Sequence, residues 1–361
     1  MSVKPAYHIA KELLKSNITR LNTPVKATFA ITYACTFQCK TCNIGRNYLK
    51  NPSAIKKDEL TDEEIGRVFG DTKINWLNIT GGEPFMRDMY SALKMVVEKN
   101  DRLYLSNTTT NGFATDHIVN SVEKILTLDI PRFLVSISVD GFEKDNDEIR
   151  GIKNSFKQCM ETFNRLKALE NKKFDVSISY TSSQNNMGKI GDFVRNMKNK
   201  YDVDSKYIHM NLYHTSEHYY KNLTVEEMKR AEEYNKHVLE EIKAYQTAKK
   251  EGFRKDAKID SLEKRYYKFA KKYVETGRSP LPCKALNSSF FMDPYGNVFP
   301  CIIWDNKIGN VRDFDYSIKK MWQIEKAKEA QKNAYNLNCP QCWTPCEAYQ
   351  TIAGNLKRTL F

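Results

Sequence analysis

The chain has 361 residues, 41% of them apolar and 28% charged, the balance of a water-soluble globular protein with a core large enough for one big unit or two. No run approaches the ~18 apolar residues of a membrane-spanning helix, and residues 1–26 lack the apolar core of a secretion signal. The net charge of +13 is spread along the chain without an uninterrupted basic tail, which argues for a solvated lysine-rich surface over a nucleic-acid footprint.

Nine cysteines without a secretion signal point to reduced thiols used as ligands and to the cytoplasm. Residues 6–21 place Ile9, Leu13, Leu14, Ile18 and Leu21 near one helical face. Such a helix packs on its own domain or, as the minority use, makes a peripheral contact with lipid or a partner. A first strand is expected over 27–34, and Cys35, Cys39 and Cys42 follow it directly. Three thiols are one short of a closed tetrahedral site. They suit an iron–sulfur cluster with one iron left open, a zinc site whose fourth ligand lies elsewhere, or a disulfide with one thiol over.

Further strands are expected at 74–80, 103–109, 133–139, 174–180 and 206–212, with helices between them. Thr61 or Asp62 can cap the helix before the second strand. Alternating strands and helices specify parallel βαβ units. Gly81-Gly82-Glu83-Pro84, Asn111-Gly112 and Asp140-Gly141 each fall just after a strand, as the cysteines do. In a parallel barrel or open α/β sheet that is the ligand-binding end, so these motifs should converge on one mouth.

Residues 222–277 are densely charged and helical in period, opening with Thr224 and Glu227 at capping-box spacing and divided into two helices near Gly252. They read as a surface insertion. Lys249-Lys250, Arg254-Lys255 and Lys271-Lys272 would suit RNA, but charged helices are ordinarily solvated faces. The segment 278–361 holds Cys283, Cys301, Cys339, Cys342 and Cys346. A hairpin about the turn Asp293–Asn297 would bring Cys283 and Cys301 together, and Cys339-Pro-Gln-Cys342 adds a tight pair. Four thiolates close a tetrahedral site, with zinc and iron–sulfur indistinguishable on spacing. Cys346 is a fifth candidate, and Cys159 reads as a buried apolar filler.

Taken together, these motifs resemble the radical S-adenosylmethionine (radical SAM) enzymes. Cys35-x3-Cys39-x2-Cys42 resembles their cluster signature. Gly81, Gly82, Glu83 and Pro84 resemble the second-strand motif that meets the cofactor's amino group. Ser138 and Asp140 resemble the fourth-strand motif on the ribose and carboxylate side, and Arg150 in Glu148-Ile-Arg150-Gly151 is the implied partner of the cofactor carboxylate. In this family an aromatic residue often precedes the third cysteine and covers the adenine; Thr41 stands there, so Phe37 or another side chain must serve. Cys283-x12-Gly296-x4-Cys301 and Cys339-x2-Cys342 resemble the SPASM/Twitch group of auxiliary-cluster domains, and five cysteines instead of seven imply one auxiliary [4Fe–4S] cluster.

The resemblance implies a partial (β/α)6 TIM-type barrel over 27–215, after an N-terminal amphipathic helix at 1–26. A charged helical insertion at 216–279 and a small cysteine-rich auxiliary-cluster domain at 280–361 complete the expected order. It implies S-adenosylmethionine and a core [4Fe–4S] cluster as cofactors, and a low-potential donor such as flavodoxin or ferredoxin. The implied reaction is hydrogen abstraction from a peptide or small biosynthetic intermediate, ending in oxidation, cross-linking or epimerisation. His214 and His218, after the sixth strand, are the candidates for moving a proton there. The competing reading is a zinc-stabilised nucleic-acid-binding protein with no radical chemistry.

Overall fold

The computed structural model describes residues 3–251 and 257–359. Among them, nine strands form one sheet in the order β6-β5-β4-β3-β2-β1-β7-β8-β9. Strands β1 (Lys26–Thr32), β2 (Trp76–Gly81), β3 (Leu105–Thr110), β4 (Arg132–Ser138), β5 (Phe174–Ser182) and β6 (Ile208–Leu212) run parallel, each paired with the next. Helices Asp62–Thr72, Met89–Lys99, Thr115–Leu126, Ser155–Lys167 and Ile190–Tyr201 are interleaved with them. This is the expected α/β architecture.

The strands alternate strongly for a parallel sheet. Leu77, Ile79, Phe133, Val135, Val176 and Ile178 are buried on the helix side. The other face is polar, with Asn107 donating to Asn78 (2.6 Å), Ser136 bonded to Ser177 (2.8 Å) and Asn211 donating to Ser179 (2.6 Å), and with Lys26 and the Arg132–Asp175 ion pair at the strand starts. Parallel strands are ordinarily apolar on both faces; here the second face is polar and partly accessible, at Asn107, Ser136, Ser177 and Asn211. Capping sets one element firmly: Thr61 accepts from the Glu64 amide (3.2 Å) while Glu64 accepts from the Thr61 amide (2.8 Å), a complete capping box.

Both sheet edges are covered, which removes the hazard of unpaired strand groups. At one edge β7 (Ser289–Met292) continues the sheet parallel to β1, and β8 (Asn297–Phe299) turns back antiparallel. The short β9 (Gly309–Asn310) follows it. The predicted hairpin is present, and through β7 the cysteine-rich segment extends the barrel sheet itself. At the other edge, the carbonyl of Ile208 accepts from Tyr245 (2.8 Å) and Lys249 (3.2 Å), and that of Met210 from Tyr267 (2.6 Å).

The insertion forms helices Val225–Asn235, Val238–Glu251 and Ala257–Thr276. The break at Lys236 and His237 was not expected. The first piece is bonded to the β5–β6 loops through Glu227 with Tyr213 (2.8 Å) and Gln184 (3.0 Å), whereas the second packs under β6 through Tyr245 and Ile242. Two different partners require two axes. Thr224 caps the first piece with a 3.1 Å bond, but Glu227 is drawn to Tyr213 and the reciprocal half of the box is replaced. Gly252 and the Arg254-Lys255 pair lie outside the described residues. Helix Ala257–Thr276 then reaches the C-terminal segment, where Tyr266 and Trp343 exchange side-chain-to-carbonyl bonds of 3.1 and 2.9 Å. The N-terminal helix Val3–Lys15 leads to Ser16, whose carbonyl accepts from Lys284 (2.7 Å), while Ile18 stays 88% exposed. Among the described residues no helix is long and apolar enough to cross a membrane.

Candidate metal and cofactor site

The cysteine loop leaves the end of β1 and is fastened from several sides. Glu59 accepts from the Thr32 hydroxyl (2.6 Å) and the Tyr33 amide (3.2 Å). The Lys40 amide donates to Ile149 (2.8 Å), the Asn43 amide to Tyr220 (2.9 Å), and Asn222 donates to the Thr41 carbonyl (2.9 Å). A Cβ at Gly45 would sit 1.8 Å from the Phe37 carbonyl oxygen, so the loop closes on its own helix only with glycine there.

Cys35, Cys39 and Cys42 are brought together. Burial pushes all three thiols upward, Cys42 to about 12, and each of Cys35 and Cys42 is raised further by its cysteine neighbours. Thiols crowded in apolar surroundings do not ionise alone; a cationic metal centre is what converts such a set to thiolates. The donor set therefore fits a three-thiolate cluster.

The strand-end motifs converge on this loop. The Gly82 amide donates to Thr32 (2.8 Å) and the Glu83 amide to Ala34 (2.7 Å), laying Gly81-Gly82 flush against the cysteine loop before the turn Pro84–Met86. Glu83, 5% exposed, accepts from the Phe85 amide (3.2 Å), the Thr110 hydroxyl (2.8 Å) and the Asn111 amide (2.6 Å). Burial raises its carboxyl to about 7, and those three bonds oppose the rise. Glu83 thus ties the end of β2 to the end of β3.

Asp140 is 1% exposed; its Oδ1 accepts from the Thr181 amide (2.8 Å), and its Oδ2 pairs by charge with Arg150 (2.9 Å) but accepts no hydrogen bond. It supports Arg150 here, beside the cofactor contact that the motif resemblance implies. Arg150 stands 4.0 Å from the Cys39 sulfur, and its buried Nε has no hydrogen-bond partner. Burial would lower Arg150, but Asp140 and Cys39 outweigh it and hold the guanidinium charged. A spare cationic donor beside the thiols fits a carboxylate ligand. Ser138 lies at the end of β4, 8% exposed. Phe37 is buried and packs edge-to-face on Phe113 at 5.6 Å. Cys159 is fully buried as expected, and its thiol also donates to the Asn111 carbonyl (3.0 Å), joining two strand ends.

In the C-terminal segment Cys283, Cys301, Cys339 and Cys342 line one cleft, walled by Trp304 and Trp343. Burial raises all four thiols, and Glu347, also in the wall, adds to the rise at Cys283, Cys301 and Cys342. The four-thiol donor set fits a fully ligated cluster. Cys346 is absent from that lining; its sulfur is 3.7 Å from Asn78 on the barrel's inner face, and its carbonyl accepts from Lys26. Among the described residues no three His, Cys, Asp or Glu side chains close on a single-ion site.

The two histidines singled out by the sequence lie apart, one against the cysteine-rich segment and one against the insertion. His218 Nε2 bonds the Cys301 carbonyl (3.1 Å) and its ring stacks on Phe299 at 4.5 Å. His214 lies 6.1 Å from Tyr273 beside the insertion, and burial pushes its imidazole down to about 4. Sequence reasoning missed Glu59, Asn222 and Tyr219. Tyr219 bonds the Thr80 hydroxyl at 2.5 Å, and its ring lies tilted against that of Tyr220 at 4.8 Å. The only local signal was the polar and aromatic run after β6.

Two family models match parts of this chain. Residues 29–183 match the family described as the radical SAM superfamily, and residues 283–347 match SPASM, an iron–sulfur cluster-binding domain. The sporulation killing factor maturation protein SkfB of Bacillus subtilis is 25% identical over 181 residues, 49% of this chain and 40% of SkfB. The mycofactocin maturase MftC of Mycolicibacterium smegmatis is 26% identical over 197 residues, 53% of this chain and 45% of MftC. The chain thus spans less than half the length of these curated relatives. Among solved structures, native anSMEcpe with bound AdoMet and Kp18Cys peptide has the same fold, with a TM-score of 0.58 and 16% identity over 86% of this chain and 84% of that one.

Proposed function

The chain belongs to the radical SAM superfamily and carries a SPASM domain, and from that premise we propose that it is a peptide-modifying enzyme whose barrel interior holds an extended substrate. The observation that carries the peptide reading is the inner sheet face. Its Asn and Ser side chains, among them Asn78, Asn107, Ser136 and Asn211, offer neutral groups at strand spacing, with charge confined to Lys26 and the Arg132–Asp175 pair at the strand starts, an arrangement that suits an extended peptide backbone. The maturation roles in the names of SkfB and MftC, and the peptide bound to anSMEcpe, support the same reading.

Cys35, Cys39 and Cys42 would hold a [4Fe–4S] cluster with one iron open, and S-adenosylmethionine bound there supplies a 5′-deoxyadenosyl radical when reduced by a flavodoxin- or ferredoxin-type donor. The protein's part is placement. Gly81 and Gly82 allow close backbone approach, Arg150 offers its free Nε to the cofactor carboxylate, Asp140 holds Arg150, and Phe37 with Phe113 covers the ring side. Cys283, Cys301, Cys339 and Cys342 would hold one auxiliary cluster, leaving Cys346 as a thiol facing the barrel.

The test is anaerobic incubation of the reconstituted protein with S-adenosylmethionine, dithionite and synthetic peptides taken from short reading frames beside its gene. Mass spectrometry should show a peptide losing hydrogen in step with 5′-deoxyadenosine formation. Coupled turnover of a small metabolite, with every peptide unchanged, would overturn the peptide reading.

A further inference from the structure

We infer that His209 on β6 is a catalytic proton acceptor inside the barrel, held by Glu263 and presented to the substrate; the inference rests on the barrel being the reaction chamber. Three placements carry it. First, β6 alternates: Ile208 and Met210 are buried on the helix side, so His209 and Asn211 share the inner face, where Asn211 bonds Ser179. Second, the register runs His209 to Ser179 to Ser138 across β6, β5 and β4. His209 therefore lies in the row of the serine assigned to the cofactor, two strand spacings or about 10 Å away between Cα atoms. An extended substrate lying between them would touch both.

Third, the imidazole is oriented. His209 Nδ1 lies 3.3 Å from Glu263 Oε1 on helix Ala257–Thr276, with 32% of the histidine side chain and 10% of the glutamate side chain accessible. Glu263 also accepts from Lys249 (2.7 and 3.0 Å) and Tyr245 (2.8 Å). Burial pushes the Glu263 carboxyl up, but the bonds from His209 and Lys249 outweigh it and hold it at about 2. A carboxylate at Nδ1 fixes the Nδ1–H tautomer and leaves Nε2 as a lone-pair acceptor. The edge carbonyl of Ile208 is already satisfied by Tyr245 and Lys249, so the anchoring of the two helices does not need the imidazole.

The step balances as follows. Hydrogen loss leaves a substrate carbon radical next to an N–H, O–H or S–H group. That X–H bond breaks, the proton forms Nε2–H on His209, and the carbon–heteroatom double bond forms as the remaining electron passes to an oxidised iron–sulfur cluster at the auxiliary site. Glu263 stabilises the resulting imidazolium.

His209→Asn tests this, because an asparagine amide can still donate to Glu263 while the acceptor at Nε2 is deleted. One measurement needs no substrate: nitrogen-15 NMR of the histidine-labelled holoenzyme with oxidised clusters should show His209 as the Nδ1–H tautomer, and an Nε2–H tautomer would overturn the proposal. The second uses perdeuterated synthetic peptides from the neighbouring reading frames. His209→Asn should carry deuterium from peptide into 5′-deoxyadenosine at close to the wild-type rate while product falls about 100-fold, the low end of general-base catalysis. Equal loss of both, or loss of neither, would overturn it. If no peptide yields deuterium with the wild-type enzyme, the peptide reading fails while the tautomer still decides the placement of His209.

Discussion

Replacing Gly82 with alanine should break the contact on which the core site depends. The added Cβ would stand 2.3 Å from the Ala34 carbonyl oxygen, 2.7 Å from its carbon and 2.9 Å from Cys35 Cβ. Backbone lies on the near side, so no rotamer change relieves the clash. The two strands of the contact are also pinned by the Gly82–Thr32 and Glu83–Ala34 bonds of 2.8 and 2.7 Å. Either the glycine turn lifts by about 1 Å and weakens those bonds, each worth about 1 kcal/mol, or the loop moves and takes Cys35 with it. Overpacking of this kind costs about 1–3 kcal/mol. Urea unfolding should show that loss, and anaerobic reconstitution should show slower S-adenosylmethionine cleavage with lowered core iron. Gly188→Ala is the control: its φ of +81° makes alanine strained, but nothing lies within 4 Å of the new Cβ. It should cost about 1–2 kcal/mol and leave iron unchanged. Full stability, iron and cleavage in Gly82→Ala would refute the steric reasoning.

Asp140→Ala leaves the Arg150 guanidinium buried without its counter-ion, which should cost about 3–5 kcal/mol in urea unfolding; Asp140→Asn should recover part of it. Cys342→Ala should lower iron from about eight to about four atoms per chain, the contents expected for two clusters and one. Cys346→Ala should keep all of it, because its sulfur faces Asn78 and not the four-thiol cleft. In iron-free protein, the Glu347 carboxyl is raised by burial to about 7, against about 4.3 in an unfolded chain. The folded state therefore keeps a proton that the unfolded state has lost, and its stability falls as pH rises from about 4.5 through about 7 and then levels. Glu347→Gln should lack that slope, so the stability of wild type relative to the variant should shrink between pH 5 and pH 8. A constant difference would contradict the shift.

What was legible in the sequence is local. Strands ending in cysteine, glycine or aspartate motifs could be placed because parallel sheets put ligands at one end, and the structure brings Cys35, Gly82, Glu83 and Arg150 together there. The misses are contacts made at long range. Cys346, which spacing left open as a fifth candidate, lies against Asn78, 268 positions earlier. Joining of β7 to β1 depends on register between Lys26 and Ser289, which no local pattern encodes. His209 was passed over for His214 and His218 because its partner Glu263 is 54 residues away. Alternation along β6 does separate His209 from its buried neighbours, and a face-by-face reading of that strand would have marked it.

The central claim is that Cys35, Cys39 and Cys42 hold an open-iron cluster that cleaves S-adenosylmethionine. The direct measurement is 5′-deoxyadenosine formation by anaerobically reconstituted protein with dithionite, compared with Cys39→Ala. The account predicts a brown protein with broad absorbance near ~400 nm, steady 5′-deoxyadenosine release in the wild type and none in the variant. A colourless protein holding zinc, or equal release from both proteins, would contradict it.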